Sequence, residues 1–254
     1  MPKGPARIFD KLELCSVKCL GKIWANHVSL TNQNKKTFDA NVYDEDYYLR
    51  GKESGKSLYE NYRWMPELTI PMARAIVSRL GIGPQHTILD YGCSRGYLVK
   101  AFCELDLIAY GIDVSEWAIS NADELVKHRL KCTSDIPPEI DWIIAKDVLE
   151  HVPNVAQTID RIMNGASVGV FAVIPLSAQD GEPYIIPDYE LDVTHIHRLT
   201  LASWAALFIR HGWSVECSYR ARGIKENYHG WMTWVKDVYD LWRQGNGFII
   251  ARRI

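Results

Sequence analysis

Two acidic residues, with a glycine-containing turn between them, are the first feature of the sequence that could bind a ligand. An apolar run ends at Asp90 and leads through Gly92 and Gly96 into a helical pattern, and a second apolar run ends at Asp113. Glycine permits a positive φ and lets a ligand lie against bare backbone, while the N–H groups that begin a helix attract anions. A carboxylate that ends the next strand can accept hydrogen bonds from both ribose hydroxyls. The spacing therefore indicates a nucleoside-binding site.

Two other interpretations fit the same turn. A dinucleotide site also places a glycine turn and an acid after successive strands, but its G-x-G-x-x-G fingerprint needs a second glycine where Ser94 stands. A glycine turn can also serve packing alone in an α/β protein. The residues by themselves therefore leave a nicotinamide-dependent oxidoreductase open as an alternative.

A third group of reactive side chains follows the apolar residues 141–146. Asp147, Glu150 and His151 come directly after this predicted strand. Parallel α/β sheets bind ligands at the carboxyl ends of their strands, so these carboxylates and this imidazole are expected beside the glycine turn. A second histidine, His195, stands near the end of a long loop.

An alternation of apolar runs and helical patterns positions these residues, and it is typical of a parallel sheet covered on both faces. One helix is predicted to begin near Pro66 and to end before Gly81, because proline suits the first turn of a helix and glycine suits its end. Apolar periodicity predicts further helices at 97–104, 116–128, 155–164 and 201–211. Strands are predicted at 86–90, 108–113, 130–132, 141–146, 168–174, 213–219 and 247–252.

The sequence from about residue 86 to 219, together with 247–252, resembles the class I S-adenosylmethionine-dependent methyltransferases. The nearest likeness is to small bacterial methyltransferases of sugar and natural-product pathways, which share the form Asp-Tyr-Gly-Cys-x-x-Gly. Ser94 departs from the usual central glycine of that motif. Four segments match, in chain order the glycine motif, the ribose acid, the adenine-edge segment and the segment after the fourth strand: 90–96, Asp113, 134–136 and 147–153.

This resemblance implies a Rossmann-like α/β fold, with a seven-stranded, mostly parallel sheet, an antiparallel last strand, an N-terminal lid and a helical insertion before the last strand. It also implies that S-adenosylmethionine binds across the ends of the first, second and fourth strands and leaves as S-adenosylhomocysteine. Asp90 would orient the ammonium of the methionine part, and Val114 and Ile136 would flank the adenine. The implied cofactor contacts are Asp90, Gly92, Cys93, Ser94, Gly96, Asp113, Val114, Asp135, Ile136, Lys146, Asp147, Arg50 and Tyr62.

The chain is expected to divide into an extension and a catalytic domain. Residues 1–63 are irregular and rich in tyrosine, and in related enzymes such a segment often closes over the methionine end. Residues 47–51 and 59–62 resemble that lid, and Arg50 and Tyr62 are its expected cofactor contacts. Residues 64–254 are expected to form the methyltransferase domain. Within that domain, residues 220–246 contain an aromatic amphipathic helix, which is expected to pack on the sheet or on a second copy in a homodimer.

Methyl transfer to an alcohol requires a base, and two histidines could supply it. His195 ranks first, because its loop lacks apolar residues of regular period and a buried role is not expected for it. His151 is the alternative beside the expected sulfonium, although a histidine at a helix start can also bond to backbone alone. Glu150 is expected to hold a histidine in place or to bind a hydroxyl group of the acceptor.

Assistance by a metal ion is a further alternative, although no metal is the favoured interpretation. Some relatives use Glu-x-x-Glu-His and a distant histidine to bind a divalent ion that grips vicinal hydroxyls. Asp147, Glu150, His151 and one of His195 or His197 stand in a similar order here. The first carboxylate of this sequence is an aspartate, which is one methylene shorter.

Composition limits the partners. The formal net charge is −2 and no Lys/Arg run exceeds two residues, which argues against nucleic acid and favours a small-molecule acceptor. No apolar run approaches the ~18 residues of a membrane span, so no membrane partner is expected and the predicted location is cytoplasmic. Cys15 and Cys19 lack the second pair of ligands that a zinc knuckle requires.

The sequence therefore predicts an S-adenosylmethionine-dependent enzyme that methylates an oxygen atom of a small hydroxylated acceptor, such as a sugar, a sugar nucleotide or a secondary metabolite. N-methylation of an amino sugar or a small amine comes next, together with metal-assisted O-methylation. Outside this class stand a NAD-dependent oxidoreductase and a cofactor-binding scaffold that has no base near the sulfonium.

Overall fold

The computed structural model describes residues 39–221, 223–224 and 245–254. Two predictions lie outside the described residues, namely the Cys15 and Cys19 pair and most of the aromatic insertion at 220–246, with the homodimer contact expected there. Of the predicted lid, the structure describes residues 39–63.

The described residues contain seven strands in one sheet: β1 Thr87–Tyr91, β2 Ile108–Asp113, β3 Leu130–Cys132, β4 Ile140–Lys146, β5 Ala166–Pro175, β6 Ser214–Ser218 and β7 Asn246–Arg252. They lie in the order β3-β2-β1-β4-β5-β7-β6. Within the described sheet, β7 alone runs antiparallel to its neighbours. The predicted mostly parallel sheet with an antiparallel last strand is confirmed.

Helices cover both faces of the sheet. In the part of the chain that the structure describes, they are α1 Glu45–Leu49, α2 Gly51–Ser54, α3 Pro66–Leu80, α4 Tyr97–Cys103, α5 Glu116–Ser120, α6 Val155–Gly165 and α7 Leu201–Ile209. Helices α3 and α4 bury Ile76 and Phe102 against one face, and α6 and α7 bury Ile159 and Trp204 against the other. None of the helices described is long and apolar enough to cross a membrane.

Helix boundaries follow local signals, with one exception. Helix α3 begins at Pro66 and ends at Leu80, as predicted, and Gly81 caps it with a φ of 71°. The helix predicted at 116–128 is wrong in its second half, because α5 ends at Ser120. Asp123 explains the difference, since its side chain accepts the N–H of Leu125 at 3.0 Å. An aspartate that bonds nearby backbone in this way competes with a continuing helix.

The described part of the extension lies against the carboxyl edge of the sheet. Tyr48 of α1 stacks on Trp117 of α5, with ring centroids 5.3 Å apart and planes 15° apart. Ser115, which caps α5, donates its hydroxyl to the carbonyl oxygen of Tyr43 at 2.6 Å. These contacts bring the tyrosine-rich extension over the strand ends where the acidic residues stand.

Candidate active site

A cleft opens between the extension and the carboxyl ends of β1, β2 and β4. It contains about 680 Å³ of empty space, part of which is open solvent. The residues that line it come from the extension, the glycine turn, the ends of β2 and β3, and the segment after β4: Tyr43, Tyr47, Tyr48, Tyr59, Tyr91, Gly92, Ser94, Ile112, Asp113, Val114, Thr133, Ser134, Asp147, Val148, His151 and Val152.

The glycine turn brings two of its predicted contacts, Gly92 and Ser94, to the cleft. Both adopt positive φ, 80° and 50° respectively. A Cβ on Gly92 would lie 2.5 Å from Val148, so glycine is required there by conformation and by close packing. Gly96 begins α4 below the turn, and Cys93 is buried against Gly111. Those two residues support the turn and do not line the cleft.

Asp113 anchors the turn to the end of β2. Its Oδ2 accepts the N–H of Ser94 at 2.7 Å, and its Oδ1 accepts the N–H of Ser115 at 2.8 Å. Burial raises the pKa of Asp113, and the two backbone N–H groups oppose that rise. The N–H of Val114 also bonds this carboxylate. A carboxylate offers about four acceptor positions, so at least one remains for a hydroxyl group of a ligand in the cleft.

Asp90 lies on the same face of the sheet as Asp113, because β1 pairs Asp90 with Gly111, two residues before Asp113. It is 4% exposed and does not line the cleft. Burial raises the pKa of Asp90 to about 7, although the charge of Lys146 opposes this rise. Lys146 also bonds Asp147 Oδ2 at 2.5 Å, and Asp147 lines the cleft. A ligand in the cleft would therefore meet Asp90 through its electric field and not by direct contact.

The edge of the cleft next to β3 differs from the expected adenine site. Val114 lines the cleft as expected, together with Thr133 and Ser134, which the sequence did not single out as contacts. Asp135 is exposed. Ile136 packs on α6, where a Cβ on Gly165 would lie 2.7 Å from it. Neither residue lines the cleft.

The extension contributes four tyrosines to the cleft, three of which belong to the predicted lid segments 47–51 and 59–62. Tyr43, Tyr47, Tyr48 and Tyr59 line the cleft, and burial raises the pKa of each, so their hydroxyls remain protonated. The many tyrosines between residues 43 and 62 are the sequence feature that indicates these contacts.

The two residues of the extension that had been singled out lie elsewhere. Arg50 points to the surface, where it pairs with Glu45 and Asp46. Tyr62 packs on Tyr59 with ring centroids 4.9 Å apart, behind the tyrosines that line the cleft.

His151 is the histidine that lines the cleft. Its Nδ1 lies 2.7 Å from Thr194 Oγ1. Burial and the neighbouring His195 lower the pKa of His151 to about 4, because both disfavour a positive charge. The ring is therefore neutral at physiological pH and can accept a proton.

His195 and Glu150 lie behind His151. The His195 side chain is 7% exposed, so the expectation that it has no buried role is wrong. Its Nδ1 lies 2.8 Å from the carbonyl oxygen of Tyr189, and its Nε2 lies 4.0 Å from Glu150 Oε1. The backbone carbonyl of Glu150 accepts the N–H of Ile196 at 3.0 Å, which holds the histidine-bearing loop in place.

A divalent ion could be held by the same histidines. Glu150, His151 and His195 each offer one ligand atom within 4.8 Å of the others, a donor set of two imidazoles and one carboxylate. Imidazole and carboxylate suit manganese, iron or zinc. Asp147, the first carboxylate of the expected ligand pattern, does not belong to this group and instead bonds Lys146 at 2.5 Å.

The sequence and the fold were compared with known proteins. Residues 65–226 match the model of a family described as methyltransferase domain, which is more than half of the chain. No curated protein matches the sequence.

Solved structures share the fold at low sequence identity. A chain of the complex between the Haloferax volcanii Trm112 methyltransferase activator and a methyltransferase is 14% identical at a TM-score of 0.60, with 84% of this chain and 97% of that chain covered. The plantazolicin methyltransferase BpumL, in complex with a triazolic desmethylPZN analog and SAH, is 17% identical at 0.56, covering 84% and 94%. A SAM dependent methyltransferase from Archaeoglobus fulgidus is 16% identical at 0.55, covering 74% and 95%.

Proposed function

The chain belongs to the methyltransferase domain family, and we propose that it transfers the methyl group of S-adenosylmethionine to a hydroxyl group of a small acceptor. The observation that carries the proposal is the neutral imidazole of His151 in the same cleft as Asp113 and Gly92. An amine acceptor would need no base, whereas a hydroxyl acceptor does. We also propose that the N-terminal extension ends at residue 63 and that the methyltransferase domain begins at residue 64.

The lining residues fit an adenosyl-sulfonium molecule. Asp113 lines the cleft at the end of β2, where a carboxylate can accept hydrogen bonds from the hydroxyls of a ribose. Val114, Thr133 and Ser134 stand at the adjoining edge, where the adenine would lie. The charges of Asp90 and Asp147 favour the ammonium of the methionine part. We therefore assign the cofactor contacts to Gly92, Ser94, Asp113, Val114 and Asp147, with Asp90 acting through its field.

The residues of the chain do two things in the reaction. S-Adenosylmethionine, when bound, supplies an electrophilic methyl group on a positively charged sulfur. The tyrosines of the extension exclude water and align the acceptor oxygen with the sulfur–carbon bond. His151 accepts the proton of the acceptor hydroxyl at Nε2, since Nδ1 contacts Thr194. We place His151 ahead of His195, because His151 lines the cleft and His195 does not.

Metal-assisted O-methylation is the second candidate, favoured by the grouping of Glu150, His151 and His195. These residues would hold the ion, which would grip an acceptor with adjacent hydroxyls and lower the pKa of the reacting one. In that case His151 would be a ligand and would not be the base.

Incubation with labelled S-adenosylmethionine and a panel of sugar nucleotides, hydroxy acids and amines tests the proposal. We expect label in hydroxylated acceptors, with activity retained after EDTA treatment. Label confined to amines would refute the O-methylation proposal, and loss of activity in EDTA that Mn²⁺ restores would favour the metal-assisted alternative. Binding is checked separately by thermal shift, in which S-adenosylhomocysteine should raise the melting temperature and NAD should not.

The affinity for S-adenosylhomocysteine, which retains the ammonium group, is expected to rise with pH around neutrality. Because burial raises the pKa of Asp90 to about 7, Asp90 carries its charge only above that pH. Calorimetry should show binding that is up to about tenfold weaker at about pH 6 than at about pH 8. The Asp90→Asn variant should lose this dependence, whereas Asp106→Asn, at an exposed turn, should retain it.

The Asp90→Asn variant should also differ from the original protein in stability, and this substitution is expected to stabilise the fold above neutral pH. A carboxylate whose pKa is raised on folding stabilises the fold below its unfolded pKa, and that stability is lost as the pH rises through the folded pKa. Moving the pKa from 3.8 to about 7 corresponds to roughly 4 kcal/mol, so Asp90→Asn should melt at a higher temperature than the original protein above neutral pH. Equal melting temperatures at all pH values would contradict the raised pKa.

A further inference from the structure

A chain of hydrogen bonds leads from His151 away from the cleft to a buried carboxylate. His151 Nδ1 lies 2.7 Å from Thr194 Oγ1, and the same oxygen lies 2.5 Å from Asp192 Oδ1. Asp192 is 6% exposed, so it is a buried acid. Neither Asp192 nor Thr194 lines the cleft, and the proposed reaction gives neither of them a role.

The direction of the protons in this chain follows from the number of donors. A threonine hydroxyl has one hydrogen, and a carboxylate has none to donate. If the hydroxyl hydrogen pointed to His151, lone pairs of Thr194 and Asp192 would face each other at 2.5 Å, which is strongly unfavourable. The hydroxyl therefore donates to Asp192, and Thr194 Oγ1 must accept the hydrogen of the His151 ring.

We propose that Thr194 and Asp192 are positioning residues that fix His151 as the Nδ1–H tautomer and thereby leave Nε2 as its proton acceptor. This inference rests on the proposed role of His151 as the base. An imidazole without such a partner populates both tautomers and rotates about its side-chain bonds. A fixed tautomer keeps the lone pair on one nitrogen and in one direction, which a general base requires.

The extension completes the arrangement. Tyr47 of α1 donates its hydroxyl to Asp192 Oδ2 at 2.6 Å, and the backbone N–H of Thr194 donates to Oδ1 at 2.9 Å. Three donors thus hold a buried carboxylate in one orientation, as a buried acid requires. The N–H of Val193 also donates to the carbonyl oxygen of Lys56 at 3.1 Å. Docking of the extension therefore sets the orientation of the base through Asp192.

The experiment compares the original protein with Thr194→Val, which removes the hydroxyl at nearly constant volume, and with Thr194→Ser, which keeps it. The tautomer of His151 is read from two-bond nitrogen–proton correlations of protein labelled with ¹⁵N-histidine, with His151→Gln used to assign the signal. Turnover is measured in parallel with S-adenosylmethionine and an acceptor found in the panel. We expect Nδ1–H in the original protein and in Thr194→Ser, and a mixture of tautomers in Thr194→Val.

In turnover, Thr194→Val should lower kcat about ten- to a hundredfold with little change in KM, which is the usual effect of removing the outer partner of an oriented imidazole, and Thr194→Ser should restore it. An Nε2–H signal in the original protein would overturn the inference, as would an unchanged tautomer in Thr194→Val. The spectrum needs no substrate, and the original protein alone can decide the tautomer if Thr194→Val does not fold. If His151→Gln turned over at the original rate while the original protein showed Nδ1–H, the proposed base would be refuted and the inferred tautomer would stand.

Discussion

Replacement of His151 by glutamine is expected to lower kcat for the hydroxylated acceptor by about 10²- to 10⁴-fold. The imidazole is neutral because burial and His195 lower its pKa to about 4, and a glutamine amide of similar size cannot accept a proton in its place. Binding of S-adenosylhomocysteine should change far less, because the proposed cofactor contacts are made by Asp113 and the glycine turn. Steady-state kinetics and calorimetry on the same preparation separate the two effects.

Two matched variants sharpen this result. His195→Gln replaces the histidine behind the cleft and should reduce kcat less than His151→Gln does. His128→Gln replaces an exposed histidine in the turn Lys127–Arg129, before β3 and therefore at the opposite edge of the sheet, and should leave kcat unchanged. A larger loss in His195→Gln than in His151→Gln would return the base assignment to His195, as the sequence analysis had ranked it.

The pH profile of kcat/KM for the acceptor tests the same assignment. It is measured at a saturating concentration of S-adenosylmethionine, so that the effect of Asp90 on cofactor binding does not enter. A histidine whose pKa is lowered on folding stays neutral until the pH falls to the folded value, so activity should decline only as the pH approaches about 4. Stability should fall earlier, because the unfolded histidine takes up a proton near its ordinary pKa of about 6.5. If kcat/KM fell with an apparent pKa of about 6.5 while the protein remained folded at that pH, the lowered pKa of His151 would be contradicted.

Replacement of Asp113 by asparagine is expected to weaken binding of S-adenosylhomocysteine by about a hundredfold. Each hydrogen bond to a charged group contributes roughly 1.5–3 kcal/mol, and 1.4 kcal/mol corresponds to a tenfold change in affinity. The amide also faces the N–H groups of Ser94 and Ser115 with one acceptor in place of two, so the turn itself should loosen. Calorimetry measures the affinity, and thermal melting reports the loosening.

A double-mutant cycle distinguishes lost ribose contacts from a distorted turn. An analogue of S-adenosylhomocysteine without the 2′ and 3′ hydroxyls should bind the original protein weakly, and Asp113→Asn should weaken it little further. Asp106→Asn is the matched control, because Asp106 is exposed in a turn where asparagine tolerates the φ of 59°. Independent losses from the analogue and from Asp113→Asn would mean that Asp113 does not contact the ribose.

The sheet and the glycine turn could be predicted because their signals are local. Strands β2 and β3 have the predicted bounds. Strands β4 and β5 were predicted to within two residues at each end, since near-continuous apolar runs mark strands buried on both faces. Gly92 and Gly96 adopt the positive φ that their residue type suggested. Helix α5 was overextended because apolar spacing continues past Ser120, whereas the side chain of Asp123 turns the backbone.

The sequence by itself determined the strands and the glycine turn between Asp90 and Asp113, because periodicity and turn residues act over a few positions. Its resemblance to known methyltransferases implied the mostly parallel sheet with an antiparallel last strand. The tertiary structure alone decided which histidine meets the cleft. His151 and Thr194 are 43 residues apart, and Tyr47 and Asp192 are 145 apart, so their hydrogen bonds arise only when the extension and the loop after β5 pack on the sheet edge. Long-range packing of this kind leaves no periodic trace in the sequence, and for that reason the choice of His151 as the proposed base depends on the fold.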